Sequence, residues 1–431
     1  MWAAARTSAG LSVLFLVVYG GSNWITAHRS DVGTWYYGWE RYIPFVPLMI
    51  VPYMSIDFFF LAGPFFCRDP RELRTLARRI GFAILAAGAC FLLFPLRFAF
   101  ERPEAGGLLG AIFDWFRGMD QPYNQLPSLH ITLRTILAHL YVRHTAGLPR
   151  VGVRVWFSLI GFSTLLTYQH HFVDIVGGFV LAGVCFYLFR EESPRLPVTR
   201  NLRIGLYYGM GAAALIGVTA LTWPRGGLLL WPALALAIVM AAYCGVGPAI
   251  YRKTEGRLPF STWFVLAPTL LGQHLSLVYY RRHCRPWDEI TPRLWIGRKL
   301  NDAEAAEAVR RGVTAVLDLT VEFSEAAPFL AVNYRHLPIL DLTAPSVEQL
   351  LSAVKFIEER AADGIVYVHC KVGYSRTAAV VGAYLLASRQ AASADEAVTL
   401  LRKARPSIIV RPEAWAALRA FERVRSAEAA G

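Results

Sequence analysis

Long apolar runs constrain this chain more than anything else in it. Stretches of about 18 to 25 residues rich in Phe, Leu, Val and Ala recur at least eight times before residue 250, each long enough to cross a hydrocarbon core of about 30 Å. They fall near 8–26, 43–66, 77–98, 129–144, 154–169, 172–189, 203–222 and 228–246. With 55% of 431 residues hydrophobic and 17% charged, a single soluble domain is excluded, and so is disorder. The first run follows Arg6, but its flank, Asn23-Trp24-Ile25-Thr26, has no small-residue cleavage site, so it reads as a retained span.

Charge divides the chain. Lys+Arg and Asp+Glu number 44 and 31 overall and 18 each from Pro286 onward, leaving 26 and 13 before it. The whole excess of +13 therefore belongs to the apolar part, where it clusters at the ends of runs, a membrane-topology signal that does not suit nucleic-acid binding. The loops 67–79 (Arg68, Arg71, Arg74, Arg78, Arg79), 143–154 (Arg143, Arg150, Arg154) and 190–203 (Arg190, Arg195, Arg200, Arg203 against Glu191 and Glu192) all come after even-numbered spans. They are expected on the cytoplasmic side, which turns loop 99–128 outward. A ninth run, 262–280, contains Pro268, Gln273 and His274 between basic flanks and is expected to be interfacial or re-entrant, keeping the remainder of the chain cytoplasmic. The six cysteines stand singly, with no disulfide framework or CxxC pair.

The outward edges gather chemistry. His130 ends Asn124-Gln125-Leu126-Pro127-Ser128-Leu129-His130, and His170 and Asp174 lie in Thr167-Tyr168-Gln169-His170-His171-Phe172-Val173-Asp174. At a helical spacing of one turn, Asp174 can face His170, fix its tautomer and leave the other nitrogen free to attack phosphorus, while His130 protonates the leaving oxygen. Arg97 and Arg102 stand just ahead as candidate phosphate ligands. The same residues also admit zinc ligation, or a purely anchoring role at the membrane edge.

From about residue 290 the pattern becomes that of a small α/β domain. Leu294–Gly297, Ala315–Leu319 and the central run Ile365–His369 read as strands; helices are expected at 347–361, 376–388, 394–404 and 411–424. Between the central strand and the next helix lies His369-Cys370-Lys371-Val372-Gly373-Tyr374-Ser375-Arg376-Thr377. A loop this short can curl its N–H groups around a phosphate; Gly373 permits the turn, and the helix points its amino end at the anion. Arg376 and the amides favour a Cys370 thiolate, and Thr377 can hydrogen-bond the departing sulfur. Lys371 adds a cation suited to an anionic lipid phosphate, and Ser375 completes the expected phosphate-binding loop with Lys371 and Gly373.

These motifs carry two resemblances. Arg102-Pro103, Pro127-Ser128-Leu129-His130 and Ser163-Thr164 with His170 and Asp174 downstream resemble the type 2 phosphatidic acid phosphatase superfamily, in the branch near inositol phosphorylceramide synthases, over about 40–190. Pro95 stands where that family has a lysine, and Thr164 where it has an arginine. The resemblance implies a six-helix membrane core, with His170 as nucleophile, His130 as general acid, Asp174 orienting His170, and Ser128, Arg97 and Arg102 near the phosphate. It leaves open whether the acceptor is water or a lipid or polyol hydroxyl. The segment around Cys370 resembles the cysteine-based tyrosine phosphatases, and the short domain their dual-specificity branch, over about 290–425. That resemblance implies Cys370 as nucleophile, Arg376 as phosphate ligand, Thr377 assisting the thiolate, and Asp341, in Leu340-Asp341-Leu342, as general acid and base; Asp318, inside an apolar run, reads as structural.

The expectation is therefore a multi-pass α-helical membrane domain (1–190), further membrane helices and an interfacial linker (191–285), and a cytoplasmic α/β phosphatase domain with a central sheet flanked by helices (286–427). Its partners are membrane lipids and a phosphorylated lipid, inositol or protein substrate. Nucleic acid is not expected as a partner, nor a cofactor or metal, and an inner cell membrane is the expected location. The alternative is a signalling phosphatase whose first part is a non-catalytic anchor or lipid sensor.

Overall fold

The computed structural model describes residues 1–191, 198–222 and 228–430. Glu192 and Arg195 of the third basic loop lie outside the described residues. The chain divides into two compact units, Met1–Glu192 and Ser193–Gly431.

The first unit is helical. α1 (Trp2–Phe15) runs through a π turn, Leu16–Gly20, into α2 (Gly21–Ala27), followed by α3 (Ile50–Phe66), α4 (Pro70–Leu93), α5 (Gly107–Met119), α6 (Leu129–Arg143), α7 (Gly147–Leu166) and α8 (Phe172–Leu188). Two expectations need correction. The basic segment 67–79 is helix from Pro70 onward, because Asp69 caps α4 by accepting the N–H groups of Arg71 and Glu72 and proline suits the first turn. The outward loop 99–128 contains α5, whose Phe113 and Phe116 pack on Ile50 and Tyr53 of α3. Among the described residues, five helical segments are long and apolar enough to cross a membrane: Trp2–Ala27, Pro47–Phe66, Pro70–Leu93, Leu202–Leu221 and Leu230–Tyr251. The shorter α8 is apolar as well.

Close helix packing brings the histidine-bearing segments together. A Cβ on Gly178 of α8 would lie 2.6 Å from the Ser128 carbonyl oxygen and 2.7 Å from Ile131 Cβ. Thr132 of α6 donates to the Gly178 carbonyl at 3.0 Å, and Ser128 N–H to the Asp174 carbonyl at 2.9 Å.

The second unit begins with α9 (Leu202–Leu221), α10 (Leu230–Ala241), continued by short turns to Tyr251, and α11 (Phe260–Arg281). α11 is one helix of 22 residues despite Pro268, so the re-entrant form is not what the segment adopts. A five-stranded sheet comes next, in the order β1-β2-β5-β3-β4: β1 (Trp287–Thr291), β2 (Leu294–Arg298), β3 (Val313–Asp318), β4 (Asn333–His336) and β5 (Ile365–Cys370). Only β1 runs antiparallel to its neighbour, and β5 is central. Its run Ile-Val-Tyr-Val-His is apolar on both sides because both faces are covered. α14 (Val347–Ala361) and α15 (Ser375–Ala387) cover one face of β5, and α16 (Ala394–Ala404) and α17 (Pro412–Ala430) complete the core that contains Val366 and Val368. α12 (Asp302–Arg310) and the short α13 (Ala327–Leu330) enclose Trp295, Val316, Phe329 and Tyr367 on the other face. The weakly patterned β1, β4, α12 and α13 were not expected from sequence.

Gly178→Ala is expected to destabilise the first unit by roughly 1–3 kcal/mol, because neither Ser128 nor Ile131 is the free end of a flexible side chain. The readout is a lower thermal unfolding midpoint in detergent; an unchanged midpoint would show that α6 and α8 separate freely.

Candidate active sites

In the second unit, Cys370 ends the central strand and α15 starts five residues later, so the loop between them sits where a helix amino terminus meets the carboxyl edge of a sheet. Gly373 has φ +76°, and a Cβ there would lie 2.4 Å from the Gly297 carbonyl oxygen, so only glycine fits. Its N–H donates to Cys370 Sγ at 3.3 Å. Outside the loop, carbonyls turn to fixed donors: Val372 O accepts from Arg405 Nη2 at 3.0 Å and Lys371 O from Lys299 N at 3.2 Å.

Arg376 is 2% exposed and held from several sides. It pairs with Glu322 at 2.7 Å, donates to the Ile339 carbonyl at 3.0 Å, and lies 3.2 Å from Asp341 Oδ1. Asp341 Oδ2 is 3.2 Å from Lys371 Nζ. The structure thus brings Cys370, Lys371, Gly373, Ser375, Arg376, Thr377 and Asp341 together, with the Ser375 hydroxyl accepting the Arg411 N–H at 3.2 Å. Burial pushes the Cys370 thiol up, but the Arg376 guanidinium, the Thr377 hydroxyl and the Tyr374 N–H outweigh it and hold the thiol below its usual range. Burial likewise raises Asp341, and Arg376 and Lys371 more than reverse it, so the carboxyl is held below the usual carboxylate range.

Asp318 ends β3, fully buried, paired with Lys253 and accepting from Tyr334 Oη at 2.8 Å. Next to it His369 Nε2 is 2.8 Å from Glu325, which pairs with Lys299 at 3.1 Å. Asp318, Glu325 and His369 have the donor set of a metal site, their ligand atoms lying within 4.8 Å of one another. Lys253 and Lys299 already neutralise both carboxylates, so the cluster works as an ion-pair network bracing the end of β5.

In the first unit, His130 lies in the first turn of α6 with its ring stacked on Tyr53 at 4.2 Å, and it interacts electrostatically with His170. Asp174 Oδ2 lies 3.6 Å from His170 Nδ1, beyond hydrogen-bond length, and accepts the His171 N–H at 2.8 Å. The one-turn reasoning is therefore corrected: His170 precedes α8, His171 is the N-cap, and Asp174 closes a capping box. Ser128 likewise caps α6, accepting the Ile131 N–H at 3.3 Å. Arg97 is exposed and outside the cluster, whereas Arg102 is drawn in beside Asp120. Asp120 was not foreseen. It accepts from Tyr19 Oη at 3.0 Å and Asn23 Nδ2 at 3.2 Å and interacts with Arg102 and His170; burial lifts its carboxyl above the usual range although Arg102 opposes this. Among the described residues, His130 Nε2, His170 Nδ1 and Arg102 Nε are buried with no hydrogen-bond partner. His171 is a structural neighbour, locked by Glu40 at 2.9 Å and the Ala99 N–H at 3.0 Å.

Comparison with known proteins matches both halves. Residues 294–424 match the model of the dual specificity phosphatase catalytic domain, and residues 46–188 that of the PAP2 superfamily. Phosphatidylglycerophosphate phosphatase PTPMT2 of Arabidopsis thaliana is 31% identical over 166 residues, covering 37% of this chain and 72% of that protein. The chain belongs to the dual-specificity phosphatases. Mouse dual specificity protein phosphatase 19 is 33% identical, over 31% of this chain and 60% of that protein. Mouse phosphatidylglycerophosphatase and protein-tyrosine phosphatase 1 is 36% identical, over 23% of this chain and 52% of its own length, so this chain spans about half of that relative. The solved structure of Tk-PTP in the active form is 33% identical over 32% of this chain and 97% of that one, with a TM-score of 0.30. The protein thus joins a PAP2 superfamily domain to a dual-specificity phosphatase domain, in a chain with several membrane-length apolar helices.

The lowered thiol gives a direct expectation. Alkylation of Cys370 by iodoacetamide rises with pH through a midpoint below the ordinary thiol value of about 8.5. Thr377→Val, which keeps the side-chain volume and removes the hydroxyl, moves that midpoint up. An unmoved midpoint would remove Thr377 from the sulfur's environment.

Proposed function

We propose that this chain is a membrane phosphatase with two separate phosphoryl-transfer sites, and that the cysteine site removes a monoester phosphate from a lipid. The observation that carries the lipid reading is the cavity over Cys370, of about 570 Å³. Its floor is the Cys370–Arg376 loop; its walls include Tyr208, Pro232, Leu236 and Pro268 from the apolar helices α9, α10 and α11. A lipid phosphate meets cations at one end of such a cavity and hydrocarbon at the other. The names of the Arabidopsis and mouse relatives, which specify phosphatidylglycerophosphate, support the same class.

In this reading the Cys370 thiolate attacks phosphorus and Asp341 gives its proton to the departing alcohol oxygen. Arg376 holds equatorial oxygens as charge spreads over them. An incoming dianion competes for Arg376 and Lys371, the two cations that keep Asp341 ionised, and so lets the carboxyl take up the proton it needs. Water then attacks the thiophosphate, Asp341 accepts its proton, and Thr377 supports the thiolate that leaves. In the first unit His170 attacks a lipid phosphate, His130 protonates the leaving group and Arg102 binds the anion. The acceptor there is water or a lipid or polyol hydroxyl. The arginine distribution supports a histidine site on the outer face and a cytoplasmic phosphatase domain.

The test uses purified full-length protein with labelled phosphatidic acid, phosphatidylglycerophosphate, a diacylglycerol acceptor and 4-nitrophenyl phosphate. Cys370→Ser is expected to lower turnover of phosphatidylglycerophosphate and 4-nitrophenyl phosphate by about 10³-fold or more, and His170→Ala to do the same for phosphatidic acid alone. Full turnover of phosphatidic acid by His170→Ala would make the first unit an anchor or lipid sensor. A Cys370→Ser enzyme active on both its substrates would end the cysteine assignment.

A further inference from the structure

The acid-bearing loop of the second unit is fastened to membrane-type helices. Asn201, the N-cap of α9, accepts the Ile204 N–H at 3.3 Å and donates through Nδ2 to the Leu342 carbonyl at 2.8 Å. Tyr243, in the continuation of α10, donates through Oη to the Asp341 carbonyl at 2.8 Å. The Tyr243 carbonyl accepts the Asn201 N–H at 3.1 Å, which joins the two donors to each other. Between them Leu342 holds φ +58°, a left-handed conformation that a leucine keeps only when its surroundings enforce it. From α11, Gln273 Oε1 accepts from Lys371 Nζ at 2.9 Å, and Lys371 reaches Asp341 with the same ammonium group. Both flanks of α11 rest on the phosphatase domain: Leu258 N–H donates to Ser324 Oγ at 3.0 Å, and Arg281 pairs with Glu304 at 3.2 Å.

We propose that α9, α10 and α11 form part of the cysteine site, with Asn201 and Tyr243 as a latch that holds the Asp341 loop over Cys370 and Gln273 as the residue that aims Lys371 at Asp341. All three are positioning residues. They act through the backbone of residues 341–342 and through Lys371, and they fix where the proton donor stands. The hydrogen bonds to two successive carbonyls suppress the swing that a loop with one strained residue would otherwise make. The general acid is therefore preset before substrate arrives, and its setting depends on the helices that bracket the lipid-facing cavity. This inference rests on the assignment of Cys370 and Asp341 as nucleophile and acid.

The experiment separates proton donation from every other contribution by varying the leaving group. Full-length protein in detergent is assayed with 4-nitrophenyl phosphate, whose leaving oxygen scarcely needs a proton, and hexyl phosphate, whose leaving oxygen does. Asn201→Asp keeps the helix cap and loses the donor; Tyr243→Phe loses only the hydroxyl. Together they are expected to lower kcat on hexyl phosphate by about tenfold or more, while kcat on 4-nitrophenyl phosphate changes by less than about threefold. The Cys370 alkylation midpoint stays in place, which shows the loop at the sulfur intact. Asp341→Asn serves as reference, giving the same selective loss in larger measure. Gln273→Leu shows the same pattern and Gln273→Glu, which keeps the acceptor, restores turnover. Equal losses on both substrates, or none on hexyl phosphate, would overturn the latch. Should Cys370→Ser keep its activity on both esters, it is the underlying assignment that fails.

Discussion

A buried guanidinium sets up the chemistry of the second unit. Arg405, with no exposed surface, pairs with Asp288 at 2.6 Å and takes the Val372 carbonyl at 3.0 Å and the Arg285 carbonyl at 3.2 Å. A peptide plane whose oxygen is drawn outward must present its N–H on the other side, and the next residue, Gly373, points that N–H at the sulfur. Positive φ at Gly373 completes the turn, and α15 adds the unpaired amides of its first turn. An anion site made of peptide groups costs no desolvation of a full charge, so only Arg376 and Lys371 need counter-charges. The protein supplies these as Glu322 and Asp341.

That second pairing leaves neither cation without a counter-charge. Asp341 stands 3.2 Å from both Arg376 and Lys371, so the cations are not left uncompensated in a buried place. Glu322 keeps the Arg376 fork oriented through two contacts, at 2.7 and 3.2 Å. The division is between one carboxylate that holds the arginine still and another whose charge at the two cations a substrate phosphate can replace.

The sequence revealed whatever was local. Cys370 to Thr377 is one short segment between an apolar run and a helix, and its backbone geometry is dictated by residue type and spacing; α14 appears at 347–361 as its apolar periodicity required. Five of the eight expected runs, 8–26, 43–66, 77–98, 203–222 and 228–246, were equally plain, since their signal is composition, whereas 129–144 and 154–169 are helical but not among the segments long and apolar enough to cross a membrane. What sequence reasoning missed is non-local. Glu322 lies 54 residues from Arg376 and Arg405 117 from Asp288, and nothing beside either residue marks its partner. Asp120 escaped because α5 was not distinguished within the long connection 99–128. Asp174 misled in a specific way: the spacing His-x3-Asp suited a helix face, but the helix starts after His170 and the carboxylate is taken up by its cap. A spacing argument holds only once the helix boundary is known.

Lys253 gives the fold an economy of a different kind. It stands ahead of α11, far from the sheet in sequence, yet its ammonium group is enclosed with Asp318 at the end of β3, with further contacts to the Thr320 carbonyl at 3.0 Å and hydroxyl at 3.2 Å. A carboxylate sealed inside a protein needs its counter-charge at the moment of folding. The sheet is therefore not self-sufficient in charge: a chain that started at β1 would bury Asp318 without its ammonium partner. Synthesis runs from the amino end, so the residue that supplies the counter-ion is made before the strand that needs it.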